Sequence, residues 1–210
     1  MEEPPLKLHT NPASPFARKV RAVAIETGLV GKIEVLDRRV TPVQPDPAIV
    51  RDNPLGKIPC LVVDDGTALY DSRVICEYLD GLHDGQRLFP PSGPARWIAL
   101  RRQALGDGIM DAGVLARYET FLRPVERRWP EWVGNQKQKF QRALDALEAE
   151  AEALAETVDI GTIAIGCALG YLDFRYADDG WRASRPKLAA WFEGFAERPS
   201  MARTAPKELP

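Results

Sequence analysis

Three short stretches of the chain carry polar groups that could together hold a small peptide-like anion. Ser14 places a hydroxyl at the start of a predicted helix. Residues 53–61 form a loop with a proline at the entry to a strand, and Asp71-Ser72 begins another predicted helix. The backbone of such a loop can pair with an extended peptide. A helix start attracts a carboxylate because its first N–H groups have no partner within the helix.

Each stretch also has a purely structural interpretation. Ser14 and Asp71 are good N-cap residues, and Pro59 suits the start of an edge strand in the trans form, since only about 5% of X-Pro bonds are cis. For Ser14 the two roles are compatible, because a capping oxygen accepts from the backbone while its own proton remains free to donate. Without further context, the structural interpretation is the simpler one for Pro59 and for Asp71-Ser72.

The composition excludes several classes of protein. The 210 residues are 45% hydrophobic and 28% charged with a net charge of −2, which argues against nucleic acid as a partner. No apolar run reaches the roughly 18–20 residues that cross a bilayer, and residues 1–5 do not resemble a secretory signal. The three cysteines, Cys60, Cys76 and Cys167, lie in apolar surroundings far from each other. We therefore expect a cytoplasmic protein with reduced, buried cysteines, no bound metal and no membrane partner.

The first part of the chain alternates strand and helix signals. Hydrophobic periodicity and turn residues predict the following order. The elements are a strand at 6–9, a helix from Pro15 to Gly28, a strand at 33–36, an irregular proline-rich connection at 41–54, a hairpin at 60–70, and a helix at 72–80. The first two strands should be parallel because a helix connects them. The order βαβ followed by ββα predicts a thioredoxin-like domain.

The rest of the chain shows helical patterns only. Glycine, proline and polar residues at 82–94 predict a linker between two domains. Helices are predicted at 96–118, 135–156, 159–175 and 186–196, and the nearly all-apolar third of these should be the buried centre. The sequence therefore predicts an α/β thioredoxin-like domain at 1–81, a linker at 82–94 and an all-α domain at 95–210.

These stretches, in this order of elements, resemble the glutathione transferase family. The resemblance covers residues 6 to about 199, and its most specific parts are the loop at 53–61, Asp71-Ser72 and the apolar segment 163–175. It implies glutathione as a cosubstrate and a small hydrophobic electrophile as the second substrate. It also implies a homodimer.

One departure from the family pattern lies at the start of the apolar helix. Family members usually have serine or threonine there and an aspartate three residues later, whereas this chain has Asp159 and Thr162. Asp159 should cap the helix equally well. We expect a weaker return contact from Thr162, because threonine is a poor substitute for a carboxylate at that position. The exchange should affect stability or folding rate and leave the chemistry unchanged.

The resemblance also assigns the functional residues. Ser14 would be catalytic, by donating its proton to the glutathione sulfur. Ile58 would pair with the cysteinyl unit through backbone groups that Pro59, typically cis in this family, leaves free. Asp71 would receive the γ-glutamyl ammonium, and Ser72 the γ-glutamyl carboxylate. Phe16 and Lys57 are the remaining candidates to contact glutathione. Asp107, Asp111 and Tyr118 lie on the helix predicted at 96–118, along which a cleft between the domains should run, and they are candidates to line the electrophile site. For these three a purely structural role is the simpler interpretation.

Serine at position 14 favours conjugation as the reaction. Glutaredoxin-like relatives have a Cys-x-x-Cys motif here, which this chain lacks, so dithiol exchange at this position is excluded. Family members with serine also isomerise or dehalogenate substrates, which leaves a second enzymatic interpretation open. A third interpretation is a binding, adaptor or stress protein that keeps the fold and catalyses nothing. The intact set of site residues favours an enzyme, because an adaptor is free to lose it.

Overall fold

The computed structural model describes residues 6–209, in which a four-stranded sheet with its helices precedes a helical region. The elements are β1 (Leu6–Thr10), α1 (Pro15–Glu26), β2 (Ile33–Asp37), α2 (Pro47–Asp52), β3 (Cys60–Val62), β4 (Ala68–Leu69), α3 (Ser72–Gly81), α4 (Gly93–Phe121), α5 (Pro130–Ala149), α6 (Ala151–Leu154), α7 (Ile160–Arg175), α8 (Pro186–Ala196) and α9 (Pro199–Ala202). This arrangement confirms the predicted fold class.

The sheet has the strand order β2-β1-β3-β4. β1 and β2 run parallel, as predicted from the helix that connects them. β3 runs antiparallel to β1 and to β4, and the β3–β4 hairpin turns at Gly66, whose φ of 85° suits a residue without a side chain. The predicted ββ unit is therefore present.

The proline-rich connection at 41–54 is less irregular than the sequence suggests. Part of it forms α2, with Asp46 as the N-cap and Pro47 at the first position. The prediction was wrong because a proline at the first helical turn leaves no intrahelical hydrogen bond unmade. His9 of β1 anchors the end of α2. Its Nδ1 accepts from Arg38 Nε at 3.2 Å, so its Nε2 carries the proton that is donated to Asp52 Oδ2 at 2.9 Å.

The helical region begins earlier than expected. α4 begins at Gly93, inside the predicted linker, and the helix predicted at 135–156 is divided into α5 and α6 at Glu150. The Glu150 carboxylate forms ion pairs there with Arg101 and Arg102 of α4. Within residues 6–209, no helix combines the length and the apolar character that a bilayer crossing requires.

α7 is the buried centre of the helical region, as predicted. Its residues from Ile160 to Leu172 are all buried. α7 packs so closely on α4 that a Cβ at Gly106 would lie 2.7 Å from the carbonyl carbon of Ala164. Both halves of the capping box are present at its start. Asp159 Oδ1 accepts from the Thr162 N–H at 2.9 Å, and Thr162 Oγ1 accepts from the Asp159 N–H at 3.0 Å.

Asp159→Ala should lower the free energy of unfolding by about 1 to 2 kcal/mol, because the buried N–H of Thr162 loses its acceptor. Chemical denaturation monitored by circular dichroism measures this loss. Asp46→Ala, at the cap of the short and more exposed α2, is the matched control and should cost about 0.5 kcal/mol. Equal losses in the two variants would contradict the larger contribution to stability that we expect from the cap of α7.

Candidate functional site

The strand register brings the three polar stretches to one edge of the sheet. In β3, Cys60 pairs with His9 of β1, and Leu61 pairs with Leu69 of β4. Because both pairings are antiparallel, the ends of β1 and β4 lie beside the start of β3. The loop before Ser14, the loop that ends at Pro59 and the turn before Asp71 are therefore neighbours in space.

The first loop holds Ser14 in place through Asn11. The Asn11 side chain accepts from the Ala13 N–H at 2.9 Å and donates to the carbonyl of Arg38 at 2.8 Å. The Ser14 N–H donates to the Asn11 carbonyl at 2.9 Å. Ser14 is the N-cap of α1, and its Oγ accepts from the Ala17 N–H at 3.3 Å. The hydroxyl proton therefore remains available for a ligand.

The second loop is held by Asn53, which is 1% exposed. Its side chain donates to the Lys57 carbonyl at 2.8 Å and accepts from the Leu55 N–H at 3.0 Å. The Ile58–Pro59 bond is cis. The backbone N–H and C=O of Ile58 make no hydrogen bond with another described residue, so both are available to an extended ligand.

The third element is the start of α3. Asp71 is its N-cap, and Asp71 Oδ1 accepts from the Arg73 N–H at 2.9 Å. The Tyr70–Asp71 bond is also cis. The Asp71 side chain is exposed, whereas Ser72 is buried at the first helical position. The helix start thus presents an N–H end beside a solvent-accessible carboxylate, which suits a ligand that carries both charges.

Two of the proposed electrophile residues, Asp107 and Asp111, lie one turn apart on α4. Asp107 is 1% exposed, and its oxygens accept from Lys19 Nζ at 2.5 Å and from Arg73 Nε at 2.8 Å. Because the Asp107 carboxylate is buried and both of its oxygens already accept hydrogen bonds, its position does not favour contact with an electrophile. Partial loss of solvent raises the pKa of Asp111, with a further contribution from Asp107, while Arg73 and Lys57 act in the opposite direction. Asp111 therefore lies within electrostatic reach of residues at the start of α3 and in the loop before Pro59.

An apolar groove of about 680 Å³ lies against the second half of α4. Residues from both parts of the chain line it, and Tyr118, the third proposed electrophile residue, is among them. The lining residues are Pro42, Val43, Leu115, Tyr118, Glu119, Leu122, Arg123, Pro124, Arg127, Trp129 and Trp132. Burial raises the pKa of Tyr118, so its hydroxyl stays protonated near neutral pH and can donate.

At one end of the groove, the buried Glu119 carboxylate holds the segment that connects α4 to α5 in place. Glu119 accepts from the Trp129 N–H at 2.9 Å and from Arg123 Nε at 2.8 Å. The two remaining ligand candidates lie on the loop before Pro59 and in the first turn of α1. Lys57 is exposed, and Phe16 is half-buried against the core.

None of the cysteines of the chain can serve as a nucleophile near neutral pH. All three are buried, and burial raises the pKa of Cys60 to about 11, of Cys76 to about 12 and of Cys167 to about 11. Only the thiolate form is nucleophilic. Sulfur chemistry at this site therefore requires a thiol from a ligand. Among residues 6–209 there is also no group of three or more side chains with metal-binding geometry.

Four residues that organise the site were missed by the sequence reasoning. Asn11 and Asn53 each precede a proline, and the Asn-Pro pair is a recognised turn signal that could have identified them. Lys19 and Arg73 carry no such signal, because a helical pattern gives no indication of which charged side chain finds a buried partner on another helix.

Family models for two domains match the chain. The model described as "Glutathione S-transferase, N-terminal domain" matches residues 13–82. The model described as "Glutathione S-transferase, C-terminal domain" matches residues 130–194. Together they cover more than half of the sequence, and the first contains every residue that the resemblance assigned to glutathione.

Individual relatives match over nearly the whole chain. A glutathione transferase family member from Pseudomonas fluorescens Pf-5, solved with bound glutathione, is 51% identical with a TM-score of 0.95, and the match covers 96% of this chain and 99% of that one. Another structure from this species, solved with S-(propanoic acid)-glutathione, is 49% identical with a TM-score of 0.90 over 96% and 100% of the chains. The uncharacterized GST-like protein YibF of Escherichia coli K12 is 36% identical over 96% of this chain and 98% of its own length.

Proposed function

Because the chain belongs to the glutathione S-transferase family, we propose that it binds glutathione and transfers the glutathione sulfur to small hydrophobic electrophiles. One observation carries the proposal. The Ser14 hydroxyl, the unpaired backbone of Ile58 and the start of α3 meet at one edge of the sheet. The relatives solved with glutathione and with a glutathione thioether support it.

Glutathione would be held at both ends of its γ-glutamyl-cysteinyl unit. The γ-glutamyl carboxylate would accept from the hydroxyl and N–H of Ser72, and the ammonium would lie against Asp71. Charge-assisted hydrogen bonds of this kind contribute about 1.5–3 kcal/mol each. Ile58 would pair with the cysteinyl backbone as one added strand residue. The exposed Lys57 ammonium makes no hydrogen bond or ion pair with another described residue and would be available to a second ligand carboxylate.

Ser14 would stabilise the thiolate by donating a hydrogen bond. A thiol with a pKa near 8.5 is only about 3% ionised at pH 7. Lowering that pKa by about two units makes the thiolate the major form and needs roughly 2.7 kcal/mol. One hydroxyl donor at the N-terminal end of α1 can supply this amount. Ser14 needs no general base, because its oxygen never attacks the substrate.

The reaction follows from this ionisation. The sulfur lone pair forms the bond to the electrophilic carbon, and the leaving group, for example a halide, departs with its bonding electrons. The thiol proton has already left to solvent when the thiolate forms. Holding both reactants side by side supplies most of the remaining acceleration.

The apolar groove is the proposed electrophile site. It is lined along α4 by Leu115, Tyr118 and Leu122, whose spacing of three and four residues places them on one side of the helix. Asp111 lies one turn before Leu115 on the same side. Asp111 lies within the electrostatic reach of Lys57 and Asp71. An electrophile in the groove would therefore lie next to the bound glutathione.

We also propose that the chain forms a homodimer through α3 and the start of α4. Val74, Trp97 and Ile98 are exposed there by 48%, 69% and 43%. The two helices are fixed relative to each other by the Arg96–Glu77 ion pair at 2.8 Å. Large exposed apolar side chains in one region are typical of a subunit interface.

Ser14→Ala should raise the pKa of bound glutathione toward its value in buffer. The ultraviolet absorbance of the thiolate, titrated with pH, measures this shift. With an aryl halide at pH 6.5, kcat/KM should fall about tenfold to a hundredfold, and the deficit should shrink as the pH rises above 8.5, where thiolate forms without help. Ser92→Ala is the matched control, since Ser92 is an N-cap whose side chain makes no capping bond.

The same experiment separates the alternatives. Equal activity in Ser14→Ala and in the unmodified protein would remove Ser14 from the mechanism. Glutathione binding without turnover of a broad electrophile panel would identify a binding or adaptor protein. Isomerisation of an activated alkene with no net loss of glutathione, or halide release that regenerates it, would identify the isomerase or dehalogenase.

Tyr118→Ala should raise the KM for the aryl halide by about three- to tenfold with little change in the KM for glutathione, because an aromatic wall of the groove is lost. Phe121→Ala is the control: Phe121 lies three residues further along α4, does not line the groove and packs its ring against Arg117. Equal effects of the two substitutions on the electrophile KM would place its site elsewhere.

Trp97→Glu should convert the protein from dimer to monomer at micromolar concentration, because a charge is buried at the centre of the proposed interface. Analytical ultracentrifugation measures the mass. Val125→Glu changes a side chain that is 73% exposed outside this region and should leave the mass unchanged. A monomeric unmodified protein would rule out the interface.

A further inference from the structure

Asp107 lies where three helices of the site meet. Its Oδ1 accepts from Lys19 of α1 at 2.5 Å, and its Oδ2 accepts from Arg73 of α3 at 2.8 Å. The Lys19 and Asp107 side chains are 0% and 1% exposed, whereas the Arg73 side chain is 54% exposed. One carboxylate of α4 is therefore bonded to both helices that begin at the glutathione site.

The buried ammonium makes this arrangement obligatory. Among the described residues, Asp107 is the only hydrogen-bond partner of the Lys19 ammonium group. The neighbouring thiols of Cys76 and Cys167 cannot neutralise it, because burial keeps both protonated. A buried cation without a counter-charge is strongly unfavourable. Lys19 is therefore fixed to Asp107, and α1 is fixed to α4.

Both bonds act close to the groups that would hold glutathione. Lys19 follows Ser14 by five residues, which is about 7.5 Å along the helix. Arg73 directly follows Ser72, and its backbone N–H donates to the N-cap Asp71. Asp107 therefore fixes the starts of α1 and α3 relative to each other although it contacts neither ligand-facing group itself.

We propose that Asp107 is a positioning residue that sets the distance between the Ser14 hydroxyl and the Ser72 carboxylate site. This inference rests on the proposed function. Glutathione is held at its γ-glutamyl end by α3, and its sulfur meets Ser14 only if α1 keeps its place relative to α3. A small displacement of one helix weakens the sulfur contact even when binding at the other end survives.

The proposal predicts a combined signature in the Asp107→Asn variant. Ser14→Ala should raise the thiol pKa and change the glutathione dissociation constant little. Ser72→Ala should weaken glutathione binding about tenfold or more and change the thiol pKa little. Asp107→Asn should do both, with a thiol pKa raised by about one unit and binding weakened at least fivefold, although the side chain is buried.

Arg73→Met tests the same proposal without disturbing the buried pair. Arg73 is largely exposed, so the variant should fold, and it breaks only the bond between α3 and Asp107. Glutathione binding should weaken and the thiol pKa should rise, and Arg73→Lys should restore part of both. The control is Asp80→Asn. Asp80 is 3% exposed and accepts from the Leu88 and Phe89 N–H groups, so its loss affects stability but should leave the bound thiol unchanged.

A double variant separates positioning from stability. Lys19→Met with Asp107→Leu removes both buried charges, so the midpoint of unfolding should recover relative to Asp107→Asn. Because Arg73 still has no partner, the thiol pKa should remain raised. Recovery of both glutathione affinity and thiol pKa in the double variant would overturn the proposal and leave a role in stability alone. An unchanged thiol pKa in both Asp107→Asn and Arg73→Met would overturn it as well.

The unmodified protein distinguishes this inference from the proposed function. If its bound glutathione ionises as weakly as in buffer, the transferase mechanism fails, and the positioning role is then judged by glutathione affinity in Arg73→Met against Asp80→Asn. If the unmodified protein does lower the thiol pKa and the Asp107 and Arg73 variants match it, the positioning role fails and the mechanism stands.

Discussion

The antiparallel pairing of β3 with both of its neighbours is the constraint on which the site depends. Cys60 faces His9 and Leu61 faces Leu69, and this register alone brings three loops from distant parts of the sequence to one edge. Because side chains alternate along a strand, a slip of one residue in β3 would move Leu61 out of the core and shift the Ile58 backbone relative to Ser14. The site is therefore a consequence of sheet packing as much as of its polar residues.

The helical region also helps to hold the site in place, through its contacts with α1. α1 has buried residues on more than one face, because α3, α7 and α9 all pack against it. Arg18 of α1 donates to the Met201 carbonyl at 3.2 Å, and Lys19 donates to Asp107. The helix that follows Ser14 is thus held by polar contacts to the helical region. These polar contacts hold the region that contains the sheet and the helical region in one fixed relative position.

The sequence was sufficient for those features that depend on local patterns. The N-caps at Ser14 and Asp71, the apolar α7 and the hairpin around Gly66 each have a short signature, and the structure contains all of them. The sequence was not sufficient at α2. The number of prolines at 41–54 led us to predict an irregular connection, although Pro47 occupies a position that is favourable at the start of a helix.

What the sequence could not give was the partner of each buried charge. Lys19 and Asp107 are separated by 88 positions, and nothing local marks them as a pair. The same holds for Asp107 as a candidate for the electrophile site: its place on the predicted helix beside the cleft was inferred from the sequence, but its burial depends on how α4 packs against α1 and α3. Long-range packing decides whether a carboxylate lines a cleft or lies beneath it.

Under the proposed function, in which the groove would bind alkylating compounds, the state of the cysteines has a consequence. Any accessible cysteine thiolate of the protein would compete with glutathione for such a compound and would be alkylated permanently. Here all three sulfur atoms are enclosed and stay protonated, so they are chemically silent under the conditions in which a bound glutathione would react. The fold keeps its own sulfur out of reach of the reagents that its groove would gather, and repeated turnover would leave the protein intact.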